Sequence, residues 1–311
     1  MLALLGLPEK LLIAANTEEG EVYSMDKLLF GDNQFFGINH MSEEKARMQS
    51  MRFQNLEAVV DVLDIAHEEG IRTFMCTTHD RVEEVCEHVR ANQSRYPDYL
   101  FYPCMPYAHK YANAATEVGV LGLIKRFTPE QGIISAAIRG GMSIATKDIE
   151  GITTLMIDSE MKMFHGLKTP VIFLQNVVVD LLLGLGMKQA FKIFADHVRA
   201  RYNAEPGWIT MNMPMLLDVL DEIGIENPIV CSNINKIGFR MCGGLDAYIR
   251  ALRDRRFRAV AMSVFASGAI PPDEAISWVC AQPNIESIVF GASSRSHIRN
   301  TKELVEKNWP G

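Results

Sequence analysis

No two of the six cysteines (Cys76, Cys86, Cys104, Cys231, Cys242 and Cys280) form a CxxC pair. Several lie inside apolar runs, so they read as reduced, buried thiols of a cytoplasmic protein rather than as a disulfide framework. A surplus of basic residues is also missing. The formal net charge of the 311-residue chain is −7, which gives it no electrostatic footprint for nucleic acid or an anionic membrane. Long hydrophobic runs are absent too. The apolar opening Met1–Leu7 has no basic start and is interrupted by Pro8 and Glu9, so it reads neither as a signal peptide nor as a membrane span. No GxGxxG follows the first apolar run, which counts against a Rossmann dinucleotide domain. Solenoid repeats and low-complexity linkers are likewise missing.

What is present is alternation. Short apolar segments with strand character (Lys27–Gly31, Ile71–Cys76, Tyr99–Cys104, Pro170–Gln175, Trp208–Met211, Pro228–Ser232, Arg258–Val264, Ile288–Phe290) are separated by stretches with helical periodicity. In the stretch from Asn55 to Gly70, Leu56, Val59, Val60, Leu63 and Ala66 recur at helical spacing, and Gly70 stands as C-cap. About eight strand–helix units in a chain with 48% hydrophobic residues predict a TIM (β/α)8 barrel occupying 1–311 as one domain. An open doubly wound sheet is the alternative. Residues 1–26 read as a cover over one end, and 128–169 as a helical insertion or lid between the third and fourth strands, longer than one connection needs.

In a barrel of this type the chemistry sits at the C-terminal ends of the strands. The polar residues expected there include Asn33, Gln34 and His40 after the first strand, His79 and Asp80 after the second, and His109 and Lys110 after the third. Asn176, Asn212, Asn233 and Lys236 follow the next strands, and Ser263, Gly268, Gly291, Ser293, Ser294 and Arg295 the last two. Amides prevail, as suits a mouth that hydrogen-bonds a polar ligand. The small residues after the last two strands leave main-chain N–H groups open to a phosphate. His79, Asp80, His109 and Lys110 are the acid–base candidates, with His79 and Asp80 also readable as the cap of a helix from about Arg81, Asp being a favoured N-cap. Asn33, Gln34, His40, Asn176, Asn233 and Lys236 are the substrate-binding candidates. Lys110 or Lys236 would serve a Schiff-base lyase or aldolase. His40, His79 and His109, with Cys76 or Asp80, offer the residue types for a divalent metal but not the local spacing of one, and no metal ligand is assigned.

The C-terminal segments Ala261-Met-Ser-Val-Phe-Ala-Ser-Gly-Ala-Ile270, Glu274-Ala-Ile-Ser-Trp-Val279 and Ser287-Ile-Val-Phe-Gly-Ala-Ser-Ser294 resemble the aldo-keto reductases. Ile209-Thr-Met-Asn212 is similar to that family's Gly-Val-Ser-Asn, which touches the nicotinamide amide. The resemblance covers about the last 110 residues. It implies a TIM barrel with NADPH as cofactor, held by Asn212, Ser263, Gly268, Gly291, Ser293, Ser294 and Arg295, with Arg299 a further partner for a 2′-phosphate. It does not carry the family's mechanism. Met75 stands at the position of the catalytic Asp and Asp80 at that of the Tyr; the Lys falls near Met105 and the His near Asn176. The function expected from these readings is a small-molecule enzyme that binds a phosphate-bearing or nucleotide ligand. The alternatives are a non-catalytic binding protein that kept the barrel, and the lyase named above.

Overall fold

The computed structural model describes residues 23–37, 43–107 and 146–310. Eight parallel strands close into a barrel in sequence order, β1 pairing with both β2 and β8. They are β1 (Leu28–Gly31), β2 (Thr73–Thr77), β3 (Leu100–Met105), β4 (Val171–Leu174), β5 (Glu205–Thr210), β6 (Ile229–Asn233), β7 (Arg258–Met262) and β8 (Ile285–Phe290). The helices on the described residues are α1 (Glu43–Arg52), α2 (Leu56–Glu68), α3 (Asp80–Ala91), α4 (Thr146–Met161), α5 (Asn176–Gly184), α6 (Gln189–Tyr202), α7 (Met213–Glu222), α8 (Leu245–Asp254), α9 (Pro272–Cys280) and α10 (Arg295–Asn308). This is the TIM barrel that the alternation predicts. No helix among the described residues is long and apolar enough to cross a membrane.

The strands are apolar on both faces because both faces are covered. Phe30, Phe74, Phe101, Trp208, Val230 and Ile288 pack outward into the layer shared with the helices. Their immediate neighbours Leu29, Met75, Tyr102, Ile209, Ile229 and Val289 point inward and fill the cylinder. The inner filling explains Gly207, since a Cβ there would lie 2.5 Å from the Phe173 ring. At the lower end, residues 23–26 close the barrel. The Tyr23 hydroxyl meets that of Tyr102 at 3.2 Å, and the Met25 N–H donates to Glu286 Oε1 at 2.9 Å. Arg258, 7% exposed, pairs with Glu286 through two bonds of 2.6 and 2.7 Å and also donates to the Tyr23 carbonyl.

Three departures from the sequence reading have physical causes. The β4–β5 connection holds two helices, and α5 is the one with no sequence signal, because Asn176-Val-Val-Val-Asp-Leu-Leu-Leu-Gly184 is nearly all apolar and carries little helical period. The strand β8 begins three residues early, at Ile285. Its polar start is used at the barrel's lower end, where Glu286 meets Arg258 and the Ser287 hydroxyl donates to the Asp26 carbonyl at 2.7 Å. The strand β5 likewise begins at Glu205, three residues before the expected Trp208. In the long β3–β4 connection, α4 and a 3-10 turn at Lys162–Phe164 occupy the described part of the predicted insertion; 128–145 lie outside the described residues, as do 1–22 of the predicted cover.

Candidate functional site

Inward-facing residues near the upper ends of the strands are partly small: Gly31, Cys104 and Cys231. The cylinder therefore stays open there, and a cavity of about 940 Å³ descends from the mouth to Met75 and Thr77. That volume is at the upper end of the ~300–1,000 Å³ usual for small-molecule and cofactor sites. One side is formed by the turn after β7, from Ser263 to Pro272, and by Gly291, Ala292 and Ser293 after β8. The start of α10 adds His297, Asn300 and Thr301. The opposite side carries Asp32, Asn33 and Gln34 from the turn after β1, with Gln49 of α1 above them and Gln175 and Asn176 after β4.

The turn after β7 is unusual in its backbone. Ser263, Ala266 and Ser267 have φ of +54°, +45° and +57°, and Gly268 follows at +91°. Non-glycine residues pay about 1–3 kcal/mol each for such conformations, and they collect at ligand clamps. The turn after β8 is set by a close approach. A Cβ at Gly291 would lie 2.1 Å from Gln34 Oε1, so only glycine lets the Gln34 amide lie against the strand end. The same amide donates from Nε2 to the Gly31 carbonyl at 2.8 Å. Ser294 caps α10 by accepting from the His297 N–H at 3.4 Å, and Arg52 of α1 donates to the Ser293 carbonyl at 2.7 Å.

Asp32 is a site residue that the sequence reading passed over. It is 6% exposed, lies directly after β1, and its Oδ2 accepts from both the N–H and the hydroxyl of Thr77 at 2.7 Å. Burial pushes the Asp32 carboxyl above the usual range, and the two Thr77 donors oppose that rise. The available signal was its position, one residue past an apolar strand; the amides and the histidine in the same loop drew the attention instead. Met75 lines the cavity floor near Thr77.

Of the expected site residues, Asn33, Gln34, Asn176, Ser263, Gly268, Gly291 and Ser293 come together around this cavity. Others have structural engagements. His79, rather than Asp80, is the N-cap of α3, its Nδ1 accepting from the Arg81 N–H at 3.1 Å while its ring stacks on Phe36 at 4.3 Å. Asp80 is the first residue of that helix. Asn212 caps α7, and Asn233 donates to the Arg240 carbonyl at 2.9 Å. Lys236 pairs with Glu274 at 2.6 Å on the surface, an ion pair that does not desolvate it as a Schiff-base lysine requires. Arg295 reaches Glu68 and Glu69, and Arg299 reaches Glu69 at 2.8 Å, so both guanidinium groups are paired with the end of α2. His40, His109 and Lys110 lie outside the described residues. Among the described residues, no group of three or more His, Cys, Asp or Glu side chains gathers as metal ligands would.

No protein-family model matches the chain, and no curated protein does. Solved structures do. A thermostable aldo-keto reductase with the inhibitor epalrestat bound superposes with a TM-score of 0.53 at 12% identity, over 91% of this chain and 90% of that one. An aldo/keto reductase from Brucella melitensis gives 0.50 at 10% identity, over 92% and 91% of the two chains. An aldo-keto reductase from a Medee basin deep-sea metagenome library gives 0.50 at 12%, over 91% and 86%. The likeness is one of fold. It extends the C-terminal resemblance to an aldo-keto-reductase-like barrel over nearly the whole chain.

Proposed function

We propose that this chain is a small-molecule enzyme that binds a phosphate-bearing or nucleotide ligand, with NADPH the first candidate, at the C-terminal mouth of its barrel. The observation that carries the reading is the single cavity joining the turns after β7 and β8 to the barrel floor. Within the turn after β7 the N–H groups of Ala266, Gly268 and Ala269 already donate to the Ser263, Phe265 and Ala266 carbonyls, so an anion beside it would be met chiefly by the Ser263 and Ser267 hydroxyls. Ser263, Gly268, Gly291 and Ser293 would hold the diphosphate, while the far end of a dinucleotide would meet His297 and Asn300. Arg295 and Arg299 would reach a 2′-phosphate only by leaving Glu68 and Glu69. The Arg295–Glu68 pair is exposed and cheap to open, whereas Glu69, 10% exposed, is shared by both guanidinium groups and would lose both partners. When bound, a reduced nicotinamide supplies a hydride. The chain's own contribution is to orient the ligand through Asn33 and Asn176 and to exclude water from the floor.

The test is a fluorescence titration of NADPH. Saturable binding with a half-point between about 1 μM and 1 mM is expected; no binding at millimolar cofactor removes the oxidoreductase reading. The alternative, a binding protein that kept the barrel, is favoured by Met75 and Met105, which supply no charge where the family has a catalytic Asp and Lys. Oxidation of NADPH in the presence of 4-nitrobenzaldehyde, a general carbonyl probe, separates the two.

A further inference from the structure

Within that reading, the site needs a group that can hand over a proton, because an oxygen that gains negative charge at the cavity floor must be neutralised there. The family's acid is absent, and His79 and Asp80, the described members of the sequence-derived acid–base set, sit at the start of α3 outside the cavity lining. We propose that Asp32 is the acid–base residue of this site, exchanging a proton between its carboxyl group and an oxygen of the ligand seated above Thr77.

The geometry that supports this is local. Asp32 lines the cavity beside Thr77, Met75 and Cys104, where a reacting group entering from the mouth would stop. In the forward direction the Asp32 O–H bond breaks and an O–H bond forms on the ligand oxygen. The electron pair stays on the carboxylate, whose Oδ2 is already held by the Thr77 N–H and hydroxyl. The same two donors accept the returning charge in every cycle without rearrangement.

The titratable groups that the Asp32 charge reaches are Cys76 on β2, Cys104 on β3 and Tyr107 beyond it. All three are pushed above their ordinary values by burial, so they stay neutral around pH 7. Among the described residues, no cation is one of the groups that move the Asp32 carboxyl. Among the described residues Asp180 is the other aspartate that burial raises, but it accepts from Thr210 and Met211 behind β5 and does not line the cavity.

Two measurements decide. In protein labelled with 13C at the aspartate carboxyls, the Asp32 resonance, identified by its loss in D32N and distinct from that of Asp180, should titrate above the ordinary midpoint of about 3.9. T77V, which removes one donor to the carboxylate, should move that midpoint higher still. A resonance that titrates at or below the ordinary midpoint, or one that T77V leaves in place, overturns the proposal. In the second measurement, D32N should keep NADPH affinity within about twofold. Its turnover of NADPH with 4-nitrobenzaldehyde should fall by about 10²–10⁴-fold, and unchanged turnover overturns the proposal. If wild-type protein binds no NADPH, it is the cofactor reading that fails, and the carboxyl titration alone then decides for or against Asp32. Heat denaturation keeps D32N interpretable. A carboxyl whose pKa is raised on folding adds stability that is complete below the unfolded value and is lost as pH rises through the folded one. The variant should therefore melt higher than wild type at pH 7 and lose that gain towards pH 4.

Discussion

Gly291 shows how a single atom's absence shapes the mouth. Its Cα lies against the Gln34 side chain, and the same amide bonds the end of β1 through the Gly31 carbonyl. Gly291→Ala should therefore displace that amide and break its bond. A loss of about 1–3 kcal/mol, the usual cost of overpacking, is expected in urea denaturation. Gly291 was recognisable in the sequence because it follows an apolar strand and precedes Ala-Ser-Ser. Its partner Gln34 was named as a ligand residue, and the structure shows it to be a wall as well. Asp32 was harder to recognise, since a carboxylate beside a strand looks in sequence like any solvated turn residue; only the arrival of Thr77 from the neighbouring strand sets it apart.

The helices differ in how openly their sequences declare them. In α2 both signals coincide: Val59, Val60, Leu63 and Ala66 are buried on one face, and Asn55 Oδ1 accepts from the Ala58 N–H at 3.0 Å. Replacing Asn55 with alanine should cost about 1 kcal/mol, read as a lower urea midpoint with an unchanged slope. Neither α1 nor α5 follows the pattern of a helix packed along one face. The first lies across the top of the barrel, where Met48 and Met51 are 63% and 62% exposed, and it is secured by Arg52 on the Ser293 carbonyl. The second exposes Val177 and Leu181, with Leu185 exposed at its C-cap, and so shows no polar outer face to betray its turn. Periodicity finds a helix only when one side is wet and the other dry.

For the molecule as a whole, closure was legible because the number of strand–helix units is itself a geometric statement. What seals the closure was not. The lower end is joined by Arg258, Glu286 and the segment from Tyr23 to Met25, groups far apart in the chain that no local pattern links. Arg258→Met should remove about 3 kcal/mol of stability, the low end of the ~3–5 kcal/mol for breaking a buried pair, because Glu286 is 25% exposed. Differential calorimetry at neutral pH would show it. The upper end follows the opposite logic. With Gly31, Cys104 and Cys231 leaving the bore unfilled, the Asp32 carboxyl stands on the cavity wall where β1 and β2 end. A guest resting on that unfilled layer therefore meets a carboxyl held from the side, not from beneath.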